Sequence, residues 1–584
     1  MAFQVSPGVL VQEKDLTRII PAVSTSIGAI AGTFTKGPMD EVVSISSEQE
    51  LVSTFGKPNN SNFEDFFSAS NFLQYSNALR VVRVQNSSVS NATESGSAFV
   101  IKNTIDYTNN YAAGQASVGL WAARTAGAHG NSLQISTCPS ATAYEEVNKT
   151  TVADAAMAVG DTVVTVSSAT GISAGDIVNF GDQYEYRVIS VSTNDLNIVR
   201  KEEPAYFGTS ESSGLHQAPT NGAQVRRRWK YYDLFNKAPG TSPAVSAKGG
   251  SGDELHIVVI DEDGEITGTK GDVLETFEAV SKASDAKDAQ GNVNYYPDVI
   301  YKSSNYIYWM DHNAGGSNWG SAANGTTFTD VTAVSNVSLQ SGSDGTTATT
   351  GQRKTAYEKF EDGETVDVGL IIAGAGDATH IGNLITIAEN RKDAVVFASP
   401  ERSDVVGIAD ANTQKSNVVA FFNSIQSSSY VVFDSGYKYA YDRYNDVYRF
   451  VPLNGDVAGL AARTDLVADS WFSPAGFNRG IVRGAVKLAF NPTKAQRDEL
   501  YRARVNPVAT FPGQGTVLFG DKTGLTAPSA FDRINVRRLF ITLEKAIATA
   551  SKFQLFEFND EFTRANFRNI VEPFLREVQG RRGI

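Results

Sequence analysis

Apolar positions in the first 85 residues are spaced as in an α/β domain. A run of small and apolar residues over 26–32 predicts a buried strand, and the alternation over 79–84 predicts a second one. Between them lie two capping-box patterns, in which Ser stands three residues before Glu and a helix is expected to begin. These patterns are Ser47 with Glu50 and Ser61 with Glu64. The face predicted for the second helix is Phe63, Phe66, Phe67, Ser70 and Leu73.

The same kind of pattern returns much later in the chain. Residues 366–373 predict a strand, 379–389 a helix and 394–398 a second strand. A strand, a helix and a strand in this order are typical of a parallel crossover. We therefore expect this stretch to complete the α/β domain that begins before residue 86.

The intervening region, 86–352, is rich in Ser, Thr, Gly and Asn and carries short alternating runs between turn dipeptides. This composition predicts β-rich material inserted into the α/β domain. Its most compact part is a small β domain over about 141–220, with enough strands between 160 and 200 for a small sheet or barrel. Residues 311–352 contain few apolar positions and are expected to form an exposed loop.

Residues 491–584 follow mainly helical spacing. One helix is predicted from Ile534, Leu539, Phe540, Leu543 and Ile547. A second helix is expected to be capped by Asn559 and to be kinked or ended by Pro573.

The pattern as a whole predicts an α+β multidomain chain. Its α/β core domain covers 22–85 and 353–490 and is interrupted by β-rich inserted outer domains over 86–352. A mainly helical α+β C-terminal domain over 491–584 follows. An N-terminal arm over 1–21 precedes the core, and its residues 9–13 predict a short strand without a nearby hairpin partner. Such a strand has to pair with something distant.

Composition and charge indicate a globular multidomain protein and disfavour a general nucleic-acid binder. With 584 residues, 41% hydrophobic and 10% aromatic, the chain has ample apolar surface for several cores. A formal net charge of -13 argues against a general nucleic-acid binder, which needs clustered Lys and Arg. The charge is uneven, because residues 491–584 hold 15 Lys and Arg against 10 Asp and Glu. The acidic body and the basic end are therefore able to attract each other between copies.

Other features predict a chain that is neither secreted by a signal peptide nor membrane-spanning and that holds no metal. The N-terminus lacks the features of a secretory signal, and no stretch approaches the ~20 apolar residues that a membrane span needs. The single cysteine, Cys138, is expected to be an inert core residue. The histidines, at 129, 216, 256, 312 and 380, are dispersed, so no zinc site is predicted.

A rival hypothesis is nucleotide binding at residues 374–379, a glycine-containing segment between a predicted strand and a predicted helix. Its third glycine is missing, although Glu401 could serve as the ribose-binding acid.

Residues 515–523 resemble a phosphate loop, but Asp521 stands where glycine is needed. Residues 261–265 suggest calcium, but the wider spacing lacks the required carboxylates, so a hairpin turn is favoured. No hydrolase motif is present, which does not exclude an enzyme.

An arginine-rich stretch, Arg533, Arg537 and Arg538, has two interpretations. A charge run is commonly a solvated helix face. Here the arginines alternate with aromatic and apolar residues of the kind that are buried, and Arg makes planar, bidentate contacts with carboxylates. An interface with a complementary protein surface is therefore an equally good interpretation.

Eight blocks of the chain carry a resemblance to a known family. They are residues 6–9, 72–75, 79–83, 445–447, 471–480, 497–498, 520–523 and 531–540. These blocks resemble the tail sheath proteins of contractile-tailed bacteriophages of the myovirus type. The segment Trp-Phe-Ser-Pro-Ala-Gly-Phe-Asn-Arg-Gly over 471–480 is the most specific of them. The inserted region over 86–350 is only loosely similar.

The resemblance implies a structural function without catalysis or cofactors. Subunits are expected to stack as hexameric rings around a tail tube, and the sheath is expected to contract and drive the tube through the host envelope. The implied partners are further copies of the chain, the tail tube protein, and baseplate and tail terminator proteins, with no direct nucleic acid and no membrane insertion. The implied location is the virion tail, after assembly in the host cytoplasm.

The resemblance also assigns the C-terminal domain to sheath assembly, together with the N-terminal arm. The candidate interface residues are Val9, Val11, Glu13, Arg533, Arg537 and Arg538. Members of the family continue beyond 580–584 with further strands, so we expect this chain to fold in its outer domains and to assemble poorly by itself. The alternatives are a bacterial contractile injection sheath, a static capsid or baseplate component, and a nucleotide-binding enzyme.

Overall fold

A computed structural model describes residues 25–201, 214–328 and 331–583. The described chain divides into two compact units. The first is built from the residues up to Ser87 and from Thr346 onward, and the second from Ser88 to Gly345. The division of the sequence into an arm, a core, an inserted region and a C-terminal domain stays a prediction.

The secondary structure is a mixture of strands and helices, as predicted. In chain order, the strands are β1 (Gly28–Gly32), β2 (Val43–Ile45), β3 (Leu79–Arg83), β4 (Val89–Ser90), β5 (Trp121–Ala123), β6 (Leu133–Cys138), β7 (Glu145–Thr151), β8 (Val163–Thr165), β9 (Ile177–Asn179), β10 (Tyr186–Ser192), β11 (Asp195–Arg200), β12 (Gln224–Arg228), β13 (Glu254–Asp261), β14 (Asp272–Ser281), β15 (Ile307–Trp309), β16 (Ser335–Ser338), β17 (Ser343–Asp344), β18 (Leu370–Ile372), β19 (Val395–Ala398), β20 (Val431–Asp434), β21 (Tyr437–Asp442), β22 (Val447–Pro452), β23 (Lys487–Leu488), β24 (Val505–Asn506), β25 (Val508–Phe511) and β26 (Gly515–Leu518). The helices are α1 (Glu48–Phe55), α2 (Phe63–Leu73), α3 (Thr104–Asn110), α4 (Ala141–Tyr144), α5 (Pro243–Ser246), α6 (Tyr296–Ser303), α7 (Thr350–Tyr357), α8 (Ala378–Arg391), α9 (Arg402–Val405), α10 (Ala411–Asn423), α11 (Asn454–Val467), α12 (Lys494–Arg502), α13 (Ile534–Ser551) and α14 (Glu561–Gly580).

The first unit is organised around a seven-stranded sheet with the order β2-β3-β1-β18-β19-β20-β24. All neighbouring pairs are parallel except β2 with β3. Side chains of β1 alternate between two cores, with Ile30 on one face and Ala29 and Ala31 on the other. Helices α2 and α11 cover the first face, and α8 and α10 cover the second. The predicted parallel crossover through α8 is confirmed.

The predicted helix starts are only partly right. Ser47 caps α1 and accepts a hydrogen bond from the backbone N–H of Glu50, but the Glu50 carboxylate binds Ser46 instead of closing a reciprocal box. The capping box predicted at Ser61 is wrong, because α2 begins after Asn62. The Asn62 side chain accepts the backbone N–H of Asn59, so it shapes the preceding turn rather than the helix.

The second unit is rich in strands, and its small β domain is a closed barrel. Six antiparallel strands have the order β7-β12-β9-β10-β11-β8, and a bridge between Val152 and Val166 joins the two outer strands. A separate sheet has the order β14-β13-β6-β16. The exposed loop predicted over 311–352 is therefore partly wrong, because β16 pairs with β6 within it and α7 begins at its end.

The C-terminal part begins inside the seven-stranded sheet, because β24 pairs with β20 as an edge strand. The hairpin of β25 and β26 follows, and then the long helices α13 and α14. The predicted cap Asn559 is wrong, since Asp560 accepts the backbone N–H of Thr563. Pro573 lies inside α14 and does not end it.

Candidate protein interface

The N-terminal interface candidates, Val9, Val11 and Glu13, lie outside the described residues. Their role in an interface stays a prediction. The C-terminal candidates all lie at or near the start of α13, and the structure assigns each of them contacts within the chain.

Arg538 is buried against the sheet-covering helix α11. Its guanidinium lies 2.7 Å from the Asp465 carboxylate and donates to the carbonyls of Ala461 and Thr25 at 3.1 and 3.4 Å. Only 3% of the Arg538 side chain is exposed. A charged hydrogen bond of this kind fixes α13 to α11 and to the residues before β1.

Arg537 and Arg533 differ in exposure. Arg537 is buried, and its guanidinium lies over the rings of Tyr430 and Phe531, with its carbon 4.6 and 4.7 Å from their centroids. Arg533 pairs with Asp521 at 3.0 Å, and 39% of its side chain remains exposed. Of the three arginines, only Arg533 offers substantial surface to a partner, and the interface role of all three stays a prediction.

The rival nucleotide site, 374–379, lies where ligands bind in many open parallel sheets, beyond the carboxyl end of β18. Gly374 adopts a φ of 66°, a conformation that glycine tolerates. However, the Asp377 carboxylate caps α8 by accepting the backbone N–H of His380 at 2.7 Å. A carboxylate thus occupies the position at which a phosphate would gain most from the helix N-terminus.

Helix α11 also fills this edge of the sheet. The side chain of Asn454 donates to the Gly374 carbonyl at 2.7 Å, and its backbone N–H donates to Ser399 at 3.0 Å. A Cβ atom at Gly455 would lie 2.1 Å from the carbonyl oxygen of Ser68 in α2. The start of α11 is therefore packed directly into the crevice that a dinucleotide would need.

A cavity of about 420 Å³ remains near this edge, lined in part by Glu64, Glu401 and Arg402. Burial raises the pKa of Glu64 to about 7, with the neighbouring Asp65 carboxylate adding to the effect. Arg353 makes a bidentate pair with Asp65 at 2.9 and 3.0 Å and is not available to a ligand. Acidic groups predominate here, which disfavours a phosphate ligand.

The other suggested ligand loops have structural explanations. Asp521 pairs with Arg533 and accepts from Tyr501, so the segment 515–523 presents no free phosphate loop. Asp261 is buried and accepts the backbone N–H groups of Gly264, Ile266 and Thr267. These bonds explain the acidic turn between β13 and β14 without calcium.

Cys138 is a buried residue, as predicted, and burial raises the pKa of its thiol to about 12. His380 is also buried, and burial lowers its pKa to about 4. Among the residues that the structure describes, no three His, Cys, Asp or Glu side chains converge as a metal site. None of the described helices is long and apolar enough to cross a membrane.

The specific segment 471–480 folds over the β25–β26 hairpin. The backbone N–H of Gly476 donates to the Leu518 carbonyl at 2.9 Å, and the N–H of Leu518 donates to the Gly480 carbonyl at 2.8 Å. Gly476 has a φ of 89°, and a Cβ at Gly480 would lie 2.8 Å from the backbone nitrogen of Gly476. The two glycines therefore permit a tight loop that projects Phe477 outward.

Phe477 belongs to an exposed surface that the sequence analysis missed. Its ring lies 5.3 Å from Phe511 and 5.9 Å from Phe519, and both Phe477 and Phe519 are more than 40% exposed. The Arg497 guanidinium lies over Phe511 and Phe519 at 5.3 and 5.7 Å. Exposed aromatic rings combined with arginine are characteristic of interface hot spots.

Three further cations belong to this surface, and each lies over an aromatic ring. Arg479 lies over Phe472 at 5.5 Å, Arg483 over Tyr75 at 5.1 Å and Lys487 over Tyr439 at 4.8 Å. Within the described residues, none of these cations, nor Arg497, forms an ion pair with a carboxylate. We call this the basic-aromatic surface; its members are Phe477, Arg479, Ile481, Arg483, Val486, Lys487, Arg497, Phe511 and Phe519.

A sequence signal for this surface does exist. The residues from Ser470 to Arg497 include five Lys and Arg and not one Asp or Glu. The basic-aromatic surface also borders a groove of about 620 Å³, lined in part by Tyr441, Ile481 and Val486. Ile481 is 42% and Val486 is 63% exposed, so apolar area remains uncovered in the isolated chain.

An exposed acidic segment lies elsewhere in the same unit. Residues 358–367 contain five Asp and Glu and a single Lys. Asp367 pairs with Lys545, and Lys354 lies 3.7 Å from Glu358. Glu361, Asp362 and Glu364 are exposed and form no ion pair within the part of the chain that the structure describes. We call these ten residues the acidic loop.

Comparison with known proteins identifies relatives over nearly the whole sequence. The chain is 32% identical to the tail sheath protein of Enterobacteria phage T4, over 99% of this chain and 91% of the relative. It is also 32% identical to the tail sheath protein of Salmonella phage ViI, over 99% of this chain and 88% of the relative.

Two family models match separate parts of the first unit. The phage tail sheath protein central domain matches residues 346–524, and the tail sheath protein Gp18 domain III N-terminal region matches residues 25–84. Among solved structures, the sheath tail protein from Listeria innocua is 11% identical, with 96% of this chain and 86% of that chain covered and a TM-score of 0.49.

Identity of this extent over almost the full length shows to which family the chain belongs. The match covers the inserted region as well as the core, so it does not rest on one shared domain. The chain belongs to the tail sheath protein family of contractile-tailed bacteriophages and is a structural component of the virion tail.

Proposed function

We propose that this protein polymerises as stacked hexameric rings around a tail tube and that contraction of the resulting sheath drives the tube through the host envelope. The observation that carries the proposal is the 32% identity to the phage T4 tail sheath protein over 99% of the chain. The sheath contacts the tail tube protein along its length and baseplate and tail terminator proteins at its ends, after assembly in the host cytoplasm.

Uncovered apolar area in the C-terminal part supports polymerisation. The segment after α13 carries four strongly exposed apolar residues, Phe553, Leu555, Phe556 and Phe558, each at least 63% exposed. Phe562 at the start of α14 is 73% exposed. Monomeric proteins rarely expose a contiguous apolar patch of this kind, which usually marks an interaction site.

The function is mechanical rather than catalytic. The carboxyl edge of the parallel sheet, at which α/β enzymes bind ligands, is occupied by α11 and bordered by carboxylates. The energy for contraction comes from two alternative packings of the same folded subunits, with the extended packing kinetically trapped. A few kcal/mol per subunit, multiplied over many copies, is enough.

Electron cryomicroscopy of tailed particles that carry this chain, before and after triggering, tests the proposal. We expect two helical sheaths of different diameter, both with sixfold rings of this subunit around a tube. A single unchanging lattice would favour a static component, and particles without this chain around the tube would contradict the proposal altogether.

A further inference from the structure

We propose that the basic-aromatic surface of one subunit docks onto the acidic loop of a second copy of this chain. The inference rests on the proposed function, because it identifies the surfaces through which two subunits are joined. It concerns side-chain surfaces in the described residues and is independent of the N-terminal arm.

The two surfaces are complementary in charge. Within the described residues, the basic-aromatic surface has four cations without a carboxylate partner, Arg479, Arg483, Lys487 and Arg497. The acidic loop has three carboxylates that form no ion pair in the part of the chain that the structure describes, Glu361, Asp362 and Glu364. Opposite charges that are unsatisfied within each copy can be satisfied between copies, and their attraction also guides the approach of two subunits.

The two surfaces also lie at opposite edges of the seven-stranded sheet. The acidic loop directly precedes β18, so it lies at the amino ends of the parallel strands. The hairpin of β25 and β26 directly follows β24, and Lys487 pairs with β21, which follows β20. The basic-aromatic surface therefore lies at the carboxyl ends of β20 and β24.

Surfaces at opposite edges cannot meet within one subunit, and they form a head-to-tail contact between subunits. Such a contact is heterologous: each copy uses one surface towards one neighbour and the other surface towards the next. It leads to an open helical array or a ring instead of a closed dimer. The exposed Phe477, Ile481 and Val486 supply the apolar centre, and the cations form a rim that sets orientation.

Charge exchange tests the pairing. The first variant, Arg483→Glu with Lys487→Glu, makes the basic-aromatic surface acidic. The second, Glu361→Lys with Glu364→Lys, makes the acidic loop basic. Self-association of the full chain is measured by analytical ultracentrifugation at low ionic strength, where attraction between charges is least screened.

We expect each variant alone to associate about tenfold or more weakly than the wild type, because like charges then face each other. An equimolar mixture of the two variants should regain association to within about threefold, since every contact between unlike variants is again complementary. The chain with all four substitutions should regain it as well. The control, Lys270→Glu with Lys302→Glu in the other unit, should associate like the wild type.

Folding is monitored by thermal unfolding of each variant. If Arg483→Glu unfolds the chain, Lys487→Glu with Arg497→Glu replaces it in the same design. Rescue by mixing supports the pairing, because a misfolded variant would not recover. Two results would show that the pairing is wrong while the proposed function stands. In the first, both variants associate as strongly as the wild type. In the second, only the basic-aromatic variant loses association, and mixing with the acidic-loop variant does not restore it. A wild type that shows no association even at low ionic strength contradicts the pairing, while imaging of the tailed particles decides the proposed function separately.

Discussion

The first unit contains two groups of cations whose surroundings differ completely. Lys438 and Arg538 are buried, Arg353 is mostly buried with 13% of its side chain exposed, and each of the three is paired with a carboxylate. Arg483, Lys487 and the other cations of the basic-aromatic surface are at least partly exposed, lie over aromatic rings and have no carboxylate partner within the described chain. The buried cations therefore stabilise the fold of the subunit, whereas the exposed cations are available to a partner.

This contrast indicates how a subunit can keep its fold while part of its surface stays available to a further copy. A buried charge requires a fixed partner inside the subunit, since removal from water is costly unless the charge is compensated. A cation over an exposed ring keeps its hydration and can still bind a carboxylate from outside. We therefore expect substitutions in the buried group to change the stability of the subunit, and substitutions in the exposed group to change its association.

The largest effect is expected at Lys438. Its ammonium lies 2.9 Å from the Asp456 carboxylate, neither side chain is exposed, and Asp456 also accepts the hydroxyl of Tyr75. Lys438→Met would leave the Asp456 charge buried without a cation, and we expect the free energy of unfolding to fall by about 3–5 kcal/mol. Urea denaturation followed by circular dichroism measures the change.

The double variant, Lys438→Met with Asp456→Leu, is the matched control. Replacement of a whole buried ion pair by apolar residues is often close to neutral, so the double variant should recover most of the loss. A single Lys438→Met variant that costs less than about 1 kcal/mol would contradict the assignment of this pair to the stability of the core.

A smaller loss is expected at Arg538, which the sequence suggested as an interface residue. Arg538→Met removes the contacts with Asp465, Ala461 and Thr25. Because the Asp465 carboxylate is 12% exposed and still accepts the hydroxyl of Thr25, we expect a net loss of about 1.5–3 kcal/mol. We expect the melting temperature of the unassembled subunit to fall by several degrees. Arg533→Met, at a side chain that is 39% exposed, is the comparison and should change it little. Equal melting temperatures, with assembly lost only in Arg538→Met, would restore the interface interpretation.

Arg538 lies in a helix that the sequence predicts, but its buried position is not predicted. Hydrophobic periodicity predicted α13 and its buried Leu539 and Leu543, because a helix that packs against a core repeats every three to four residues. The same periodicity places Arg537 and Arg538 towards the core, but a charged side chain is expected at the surface unless its partner is known. That partner, Asp465, is 73 residues away in the chain.

Apolar and alternating runs are local patterns, and they predicted β1, β3, β18 and β19 of the seven-stranded sheet and β8 to β11 of the small β domain, which the sequence left open as a sheet or a barrel. The pairing of β1 with β18, across the whole inserted region, could be anticipated only because the α/β pattern resumes after it. The basic-aromatic surface was missed since its parts come from several elements, from Phe477 to Phe519. The absence of Asp and Glu from Ser470 to Arg497 was the available signal.

The pH dependence of stability distinguishes a buried acid from the exposed groups. Burial raises the pKa of Asp434 to about 8, while the unfolded chain releases this proton near pH 4. Between these values the folded state holds the extra proton, so stability falls as pH rises. The free energy of unfolding of the wild type should therefore fall by about 1.4 kcal/mol per pH unit between pH 5 and 7 on account of this group, and we expect Asp434→Asn to remove that part of the slope.

Unfolding by urea at several pH values measures the slope for Asp434→Asn and the wild type. Asp362→Asn is the exposed comparison: hydrogen bonds from Glu364 and Thr365 lower the pKa of Asp362, so its contribution is present at neutral pH and is lost only as pH falls below about 4. Parallel slopes of wild type and Asp434→Asn between pH 5 and 7 would show that Asp434 is already ionised in the folded chain.

The smallest effect on stability is expected at the exposed cations. Lys487→Gln removes a charge that has no carboxylate partner among the described residues, and surface substitutions of this kind usually change the free energy of unfolding by less than about 0.5 kcal/mol. If the basic-aromatic surface binds a second subunit, the same substitution weakens association and reduces its dependence on salt. Sedimentation at two ionic strengths, beside urea denaturation of the same sample, separates these effects. A large loss of stability without a change in association would place Lys487 with the buried cations that maintain the fold.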